Sequence, residues 1–110
     1  MEFVETSVFT KQVNKLLSED DYRQLQRFLT DLPDAGDLIR GSGGVRKLRW
    51  GFSSSGKRGG TRIIYYWAVK HDQIFMLLMY PKNKQDNLTA KQIQMMRKIV
   101  EDEFDGRCTV

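Results

Sequence analysis

The sequence is poor in cysteine, histidine and proline. Its 110 residues include one cysteine (Cys108), one histidine (His71) and two prolines. One cysteine cannot form an intramolecular disulfide, and one cysteine with one histidine does not make a zinc site. We therefore exclude a disulfide-stapled scaffold and Cys/His metal chemistry, and we expect no metal and no other cofactor.

Long apolar runs are also missing. No segment approaches the ~20 apolar residues of a membrane-spanning helix, and residues 1–5 are acidic, unlike the basic start of a secretory signal. We expect a cytoplasmic protein with no membrane partner. The 40% hydrophobic and 29% charged content are typical of a globular protein, and the length predicts one domain over residues 1–110.

Acidic residues are absent from the middle of the chain. Residues 1–39 hold eight acids and four bases, and residues 71–110 hold six of each, whereas residues 40–70 hold eight bases and no acid. A solvated surface usually mixes both signs, so a polyanionic partner is the better interpretation of this block. Its bases are Arg40, Arg46, Lys47, Arg49, Lys57, Arg58, Arg62 and Lys70.

The basic block contains the segment GFSSSGKRGGTR, which partly matches the P-loop pattern G-x-x-x-x-G-K-[ST]. Gly51, Gly56 and Lys57 fit that pattern. Arg58, however, stands where the pattern needs a hydroxyl, and two glycines follow where it needs a helix. Residues 63–67 are β-branched or aromatic, which predicts a strand. We interpret the segment as a basic loop between two strands, not as a nucleotide site.

A strand and two helices are predicted for the first third of the chain. Side chains alternate over residues 2–9, which indicates a short strand. Thr10 can cap a short helix, and Ser18 followed by three acids can cap a second one that ends before Pro33. The apolar stripe of the second helix, assigned to the core, consists of Tyr22, Leu25, Phe28, Leu29 and Leu32.

Three strands and a last helix are predicted for the rest. The strand-like runs cover residues 45–52, 61–69 and 73–80, and they form an antiparallel meander. The third run is apolar at six consecutive positions, which is typical of a strand covered on both faces. We therefore predict an α+β fold: an N-terminal strand, an αα-hairpin, the meander and a C-terminal helix, with the helices packed on one mostly antiparallel four-stranded sheet. Thr89 and Gln92 make a capping-box pattern for the last helix, whose apolar positions are Ile93, Met96, Val100 and Phe104.

Strand alternation gathers several cations. Lys47 and Arg49 point to one face of the first meander strand, opposite to its apolar side chains. Antiparallel pairing can bring Arg62 of the next strand beside them, although the sequence leaves the register open. Lys82 and Lys84 follow the third strand at the same end. Such a cluster suits phosphodiester substrates, because it holds phosphates and stabilises the charge of a pentavalent transition state.

Two other groups have ordinary structural interpretations beside functional ones. His71 can be a general base, but an exposed position in a turn explains it better. Tyr65, Tyr66 and Trp67 can stack on bases, but aromatic residues of strands more often belong to the core.

The order of these elements, with the motifs GSGGVRKLRW, GKRGGTRIIYYW and LLMYPKNKQDNLT, resembles the RelE/HigB superfamily of toxins from bacterial type II toxin–antitoxin modules, especially its HigB-like branch. The resemblance implies the RelE-like fold and a metal-independent, ribosome-dependent endoribonuclease. Such an enzyme cleaves messenger RNA in the ribosomal A site by attack of a 2′-hydroxyl on the adjacent phosphate, and so inhibits translation. The implied partners are the ribosome, messenger RNA and a cognate antitoxin, commonly with a helix-turn-helix domain, whose complex with the toxin binds operator DNA.

The resemblance also implies the roles of individual residues. Lys47 is the candidate base or transition-state stabiliser, and Arg49 and Arg62 would clamp the scissile phosphate. Lys82 would assist the leaving 5′-oxygen, while the acid stays open between Tyr80 and Lys84. The residues predicted to bind RNA are Arg46, Lys57, Arg58, Lys84 and Tyr66.

The same fold also hosts gyrase poisons of the ParE kind, which lack the catalytic cluster and act by binding a protein. Fold alone does not separate the two activities. Lys47, Arg49, Arg62 and Lys82 together favour the ribonuclease over a gyrase poison and over a plain RNA-binding module.

Overall fold

The computed structural model describes residues 1–51, 60–82 and 87–105, with residues 104 and 105 described by their backbone alone. A strand and two α-helices come first, followed by four further strands, with a short 3-10 turn (Val69–His71) before the last of them, and by a third α-helix that continues into a π-helical segment (Glu101–Asp105). The strands are β1 (Glu2–Glu5), β2 (Asp37–Leu38), β3 (Val45–Trp50), β4 (Thr61–Ala68) and β5 (Gln73–Pro81), and the helices are α1 (Ser7–Leu16), α2 (Glu19–Asp31) and α3 (Ala90–Val100).

These strands form one sheet in the order β1-β5-β4-β3-β2. β1 runs parallel to β5, and the other neighbours are antiparallel. The predicted α+β class and the meander of β3, β4 and β5 are confirmed. The prediction of four strands was wrong by one, because Asp37 and Leu38 form a two-residue edge strand against β3. Their loop composition carries no strand pattern, so pairing with β3 alone makes them a strand.

The start of α1 differs from the prediction. Thr6, not Thr10, caps this helix, since its Oγ1 accepts a hydrogen bond from the Phe9 amide at 3.0 Å. The same hydroxyl donates to the Leu77 carbonyl at 2.9 Å. A strand over residues 2–9 was therefore too long, and β1 ends at Glu5, before this cap.

The other two helix starts are confirmed. The Ser18 hydroxyl accepts from the Asp21 amide at 3.1 Å and begins α2. Thr89 and Gln92 form a complete capping box at the start of α3, with reciprocal bonds of 3.1 and 2.9 Å. One residue of the predicted α2 stripe is an exception, because Leu32 lies beyond the end of α2 and is 51% exposed.

Helices cover both faces of the sheet. α1 and α2 cover one face, and α3 covers part of the other, as the apolar β5 predicts. None of the helices in the described parts of the chain is long and apolar enough to cross a bilayer. The first face is filled by Phe9, Val13, Leu17, Leu25, Leu29, Leu48, Ile63, Tyr65, Ile74, Met76 and Met79. The second is filled by Val45, Ile64, Ala68, Phe75, Leu77, Tyr80, Met96 and Val100.

Candidate functional site

A row of polar side chains crosses three strands on the α3 side of the sheet. Arg49 of β3 stands directly opposite Arg62 of β4, which in turn stands opposite Tyr80 of β5. Opposite residues in an antiparallel pair share a face, with Cβ atoms ~4.5–5.5 Å apart. Lys47 precedes Arg49 by two residues and so shares this face, ~6.5 Å along the strand. The register that the sequence leaves open thus brings the three cations together.

These cations line an open depression of about 440 Å³. Arg62 is 1% exposed and lies deepest, Lys47 is half-buried, and Arg49 is exposed at the rim. The depression is completed by Ala35 and Asp37 from the segment around β2, by Leu48, and by Asn87 from the segment before α3. The site therefore presents positive charge at three depths on one wall of strands.

Two polar neighbours surround Lys47. Its ammonium donates a hydrogen bond to the Asn87 Oδ1 at 3.0 Å. Asp37 stands opposite Lys47 in the β2–β3 register. Within residues 1–51, 60–82 and 87–103, however, no carboxylate forms an ion pair with Lys47 or Arg49, and the ion pairs present there lie elsewhere on the surface. Among the described residues, both positive charges are therefore available to an anion.

Ala35 and Asp37 line the depression from a loop, and a side chain on the opposite face of the sheet holds this loop in place. The Tyr65 hydroxyl accepts from the Gly36 amide at 2.9 Å and donates to the Pro33 carbonyl at 2.8 Å. Burial raises the pKa of Tyr65, so its hydroxyl stays protonated and keeps this donor. Gly36 is required because a Cβ there would lie 2.9 Å from a Tyr65 ring carbon. Tyr65 thus contributes to the site through the loop that it fixes.

Arg46 also holds this loop in place and does not line the depression. Its Nη1 donates to the Gly36 carbonyl at 2.8 Å and to the Asp34 carbonyl at 3.2 Å. Strand alternation places Arg46 on the face opposite to Lys47 and Arg49. Its predicted contact with RNA is therefore separated from the three cations.

The remaining predicted residues lie at different distances from the site. Lys82 is exposed just beyond β5, where its amide donates to the Gly60 carbonyl at 3.4 Å, and it does not line the depression. Tyr66 shares the face of Arg62 but packs against the apolar cluster under α3. His71 is exposed in a turn after β4, away from the Arg49–Arg62 pair. Lys57, Arg58 and Lys84 lie outside the described residues.

Sequence reasoning missed two polar residues of the depression, Asp37 and Asn87. Both stand in segments whose composition indicates only loops. Asp37 reaches the site through the edge pairing of β2, and Asn87 through a contact with a lysine forty positions earlier in the chain. The local pattern of charges contains no signal for either contact.

The arrangement can bind a phosphate or another compact anion. Arg49 and Arg62 stand directly opposite each other, and like charges in that position destabilise a sheet. An anion between them removes this repulsion. Arginine presents a planar fork of donors that matches phosphate oxygens, while lysine adds a point charge.

The architecture is that of the RelE fold. A form of the E. coli toxin RelE with two arginines replaced by alanine, in the free state, is 18% identical, with a TM-score of 0.54 over 87% of this chain and 92% of that chain. The intact E. coli RelBE toxin–antitoxin complex contains a chain that is 19% identical, with a TM-score of 0.51 over 72% of this chain and 93% of that chain.

A family model agrees with this fold. The model of the RelE toxin of the RelE/RelB toxin–antitoxin system matches residues 34–106, which include the meander, the three cations and α3. The chain therefore belongs to the RelE family of toxins from type II toxin–antitoxin systems.

Proposed function

We propose that the protein is a ribosome-dependent endoribonuclease that cleaves messenger RNA in the ribosomal A site and so inhibits translation. The observation that carries this proposal is the cationic depression, in which Arg49 and Arg62 stand opposite each other and Lys47 lies beside them. Two guanidinium groups and one ammonium group placed side by side offer several donors to one phosphate. Such donors stabilise the charge of a phosphoryl transition state.

In the proposed reaction the ribose 2′-oxygen attacks the adjacent phosphorus while its proton leaves. The bond between phosphorus and the 5′-oxygen then breaks, and that oxygen takes up a proton. The products are a 2′,3′-cyclic phosphate and a 5′-hydroxyl. No metal is needed for this proton and bond balance.

The proposed roles follow the depth of the side chains. Arg62 at the floor and Arg49 at the rim hold the scissile phosphate at two depths of the same wall. Lys47 acts as the base or stabilises the charge that develops on the phosphate. Tyr80 stands opposite Arg62 but is buried in the cluster under α3, so the proton donor stays open between Tyr80 and Lys84. Lys82 beyond the strand end assists the leaving oxygen.

The proposed biological setting is a toxin–antitoxin module, which is all that the family name itself states. An antitoxin, commonly with a helix-turn-helix domain, inhibits this toxin, and the complex binds operator DNA. We assign the chain to the HigB-like branch on the motifs quoted above, with residues 1–110 acting as one toxin domain in the cytoplasm, where ribosomes are found. Lys57, Arg58 and Lys84 are proposed contacts with ribosomal RNA or with the message backbone.

The test is to map 5′ ends of messages after a short pulse of expression. Wild-type protein should create new 5′-hydroxyl ends within translated codons, and Lys47→Ala should create none. Lys70→Ala is the matched control, because it removes one base of the same sequence block from an exposed turn after β4. It should cleave like the wild type.

Other outcomes identify other functions. New ends with Lys47→Ala at wild-type frequency would overturn the proposed role of the depression. Supercoiling defects without cut messages would identify a gyrase poison. Salt-sensitive RNA binding without any cleavage would identify a plain RNA-binding module.

A further inference from the structure

We infer that Asn87 is a positioning residue for Lys47, which holds the lysine ammonium at the edge of the depression in the geometry that cleavage needs. This inference rests on the proposed function and adds to it a residue that the sequence did not indicate. Asn87 and Lys47 both line the depression, and they are joined directly by a hydrogen bond of 3.0 Å.

The chemistry of the contact fixes its direction. An ammonium only donates hydrogen bonds, so the amide oxygen of Asn87 must face Lys47. A lysine without such a partner moves through many rotamers, because its four-carbon stem is flexible. The acceptor therefore restricts the Nζ of Lys47 to one side of the site before any substrate binds. Such restriction is what preorganisation of a charged group requires.

Asn87 is itself held in place by its neighbour. Leu88 packs against the apolar cluster under α3. This packing fixes the chain immediately after Asn87, so the Asn87 side chain is carried on an anchored segment. The contact thus links β3 to the start of α3.

Because Asn87 and Lys47 both contact solvent, we expect their hydrogen bond to affect the position of the ammonium more than the stability of the fold. Asn87 is exposed and Lys47 is only half-buried. Polar contacts at such positions contribute little to the free energy of folding, because water competes for both groups. Loss of the amide should therefore leave the fold unchanged while it releases the ammonium.

The experiment compares purified wild type, Asn87→Ala, Thr89→Ala and Lys47→Ala in single-turnover cleavage of a labelled message in programmed ribosomes. For Asn87→Ala we expect a rate about two- to fivefold lower, since a solvent-exposed contact to a charged group is worth at most about 1 kcal/mol. We expect the protein concentration for half-maximal rate to change by less than about twofold, since the contact acts after binding. Side-chain ¹⁵N relaxation of the Lys47 ammonium should show greater mobility in Asn87→Ala.

Thr89→Ala separates positioning from structure. It removes the cap of α3 two residues away, so it should lower the melting temperature but leave the mobility of Lys47 and the cleavage rate near wild type. Equal losses of rate and melting temperature in Asn87→Ala and Thr89→Ala would show that Asn87 only supports the helix, and would overturn the inference.

Two further results decide between the inference and the proposed function. An Asn87→Ala rate equal to wild type, with Lys47→Ala inactive, would overturn the inference and leave the proposed function standing. A wild type that cuts no message would overturn the proposed function, and the positioning role would fall with it.

Discussion

The two faces of the sheet are built from the same strands but differ in how completely helices cover them. On the first face, α1 and α2 pack over side chains from β3, β4 and β5, and residues such as Phe9, Leu25 and Leu29 have no exposed surface. On the second face, α3 packs over Val45 and Ile64 and leaves the end of β3 open. The open end is where the cations lie.

This difference shows how a chain of 110 residues accommodates both a core and a charged site. The first face supplies most of the burial that a small domain needs for stability. Among the described residues, α3 covers only part of the second face, so like charges can stand side by side at a cost that the rest of the molecule offsets. Substitutions on the two faces should therefore act on different properties.

The largest expected effect is on the stability of the covered face. Leu29→Ala removes a fully buried side chain and should lower the free energy of unfolding by about 2.7–5 kcal/mol. Leu32→Ala, at a 51% exposed position just after the same helix, should change it by less than about 1 kcal/mol. Urea unfolding of the two variants measures both. Equal losses would show that α2 does not cover this face as described.

The next largest effect is expected on the cleavage activity at the open end of β3. Arg49→Ala should slow single-turnover cleavage about 100- to 1,000-fold, the typical effect of losing one transition-state donor. It should not lower the melting temperature, because Arg49 is exposed and stands opposite another arginine. Lys70→Ala serves as the matched loss of one positive charge. A loss of stability large enough to explain the loss of activity would contradict the conclusion that the two faces serve different properties.

A smaller effect on stability and activity is expected from Tyr65, which connects the first face of the sheet to the loop beside the depression. Tyr65→Phe removes the hydroxyl that accepts from the Gly36 amide and donates to the Pro33 carbonyl. One buried and one part-buried backbone group lose a partner, so the free energy of unfolding should fall by about 1–3 kcal/mol. Cleavage should weaken as well, since the same loop carries one wall of the depression. Unchanged cleavage in a destabilised variant would show that the Tyr65 hydrogen bonds support the fold but not the site.

The smallest effect is a gain in stability at the site. Arg49→Gln removes the repulsion between Arg49 and Arg62 and should stabilise the fold by about 0.2–1 kcal/mol. Salt screens exposed charges, so the gain should be largest at low ionic strength. Urea unfolding at low and high salt provides the measurement. A loss of stability at low salt would show that the cation pair supports the fold.

Much of this architecture could be predicted from the sequence. Alternation in β3 predicts that Lys47 and Arg49 share a face, and the apolar β5 predicts cover on both faces. Ser18 and Thr89 mark helix starts through the hydrogen bonds that their hydroxyls accept. These features depend on neighbours in the chain, which is why a local pattern reveals them.

The rest depends on contacts between distant segments. Thr6 competes with Thr10 for the start of α1, and its bond to the Leu77 carbonyl favours Thr6. The pairing of Arg49 with Arg62 follows from a register that turn length and packing set together. Asn87 enters the site only because α3 returns to the open end of β3. No periodicity in the sequence encodes these three contacts.

The central claim is that the open end of the α3 face is a catalytic centre, and the cleavage rate of Lys47→Ala tests it most directly. In single-turnover reactions with ribosome-bound message, we expect this variant to bind like the wild type and to cleave at least about 100-fold more slowly, while Lys70→Ala keeps the wild-type rate. Cleavage by Lys47→Ala at the wild-type rate would contradict the account.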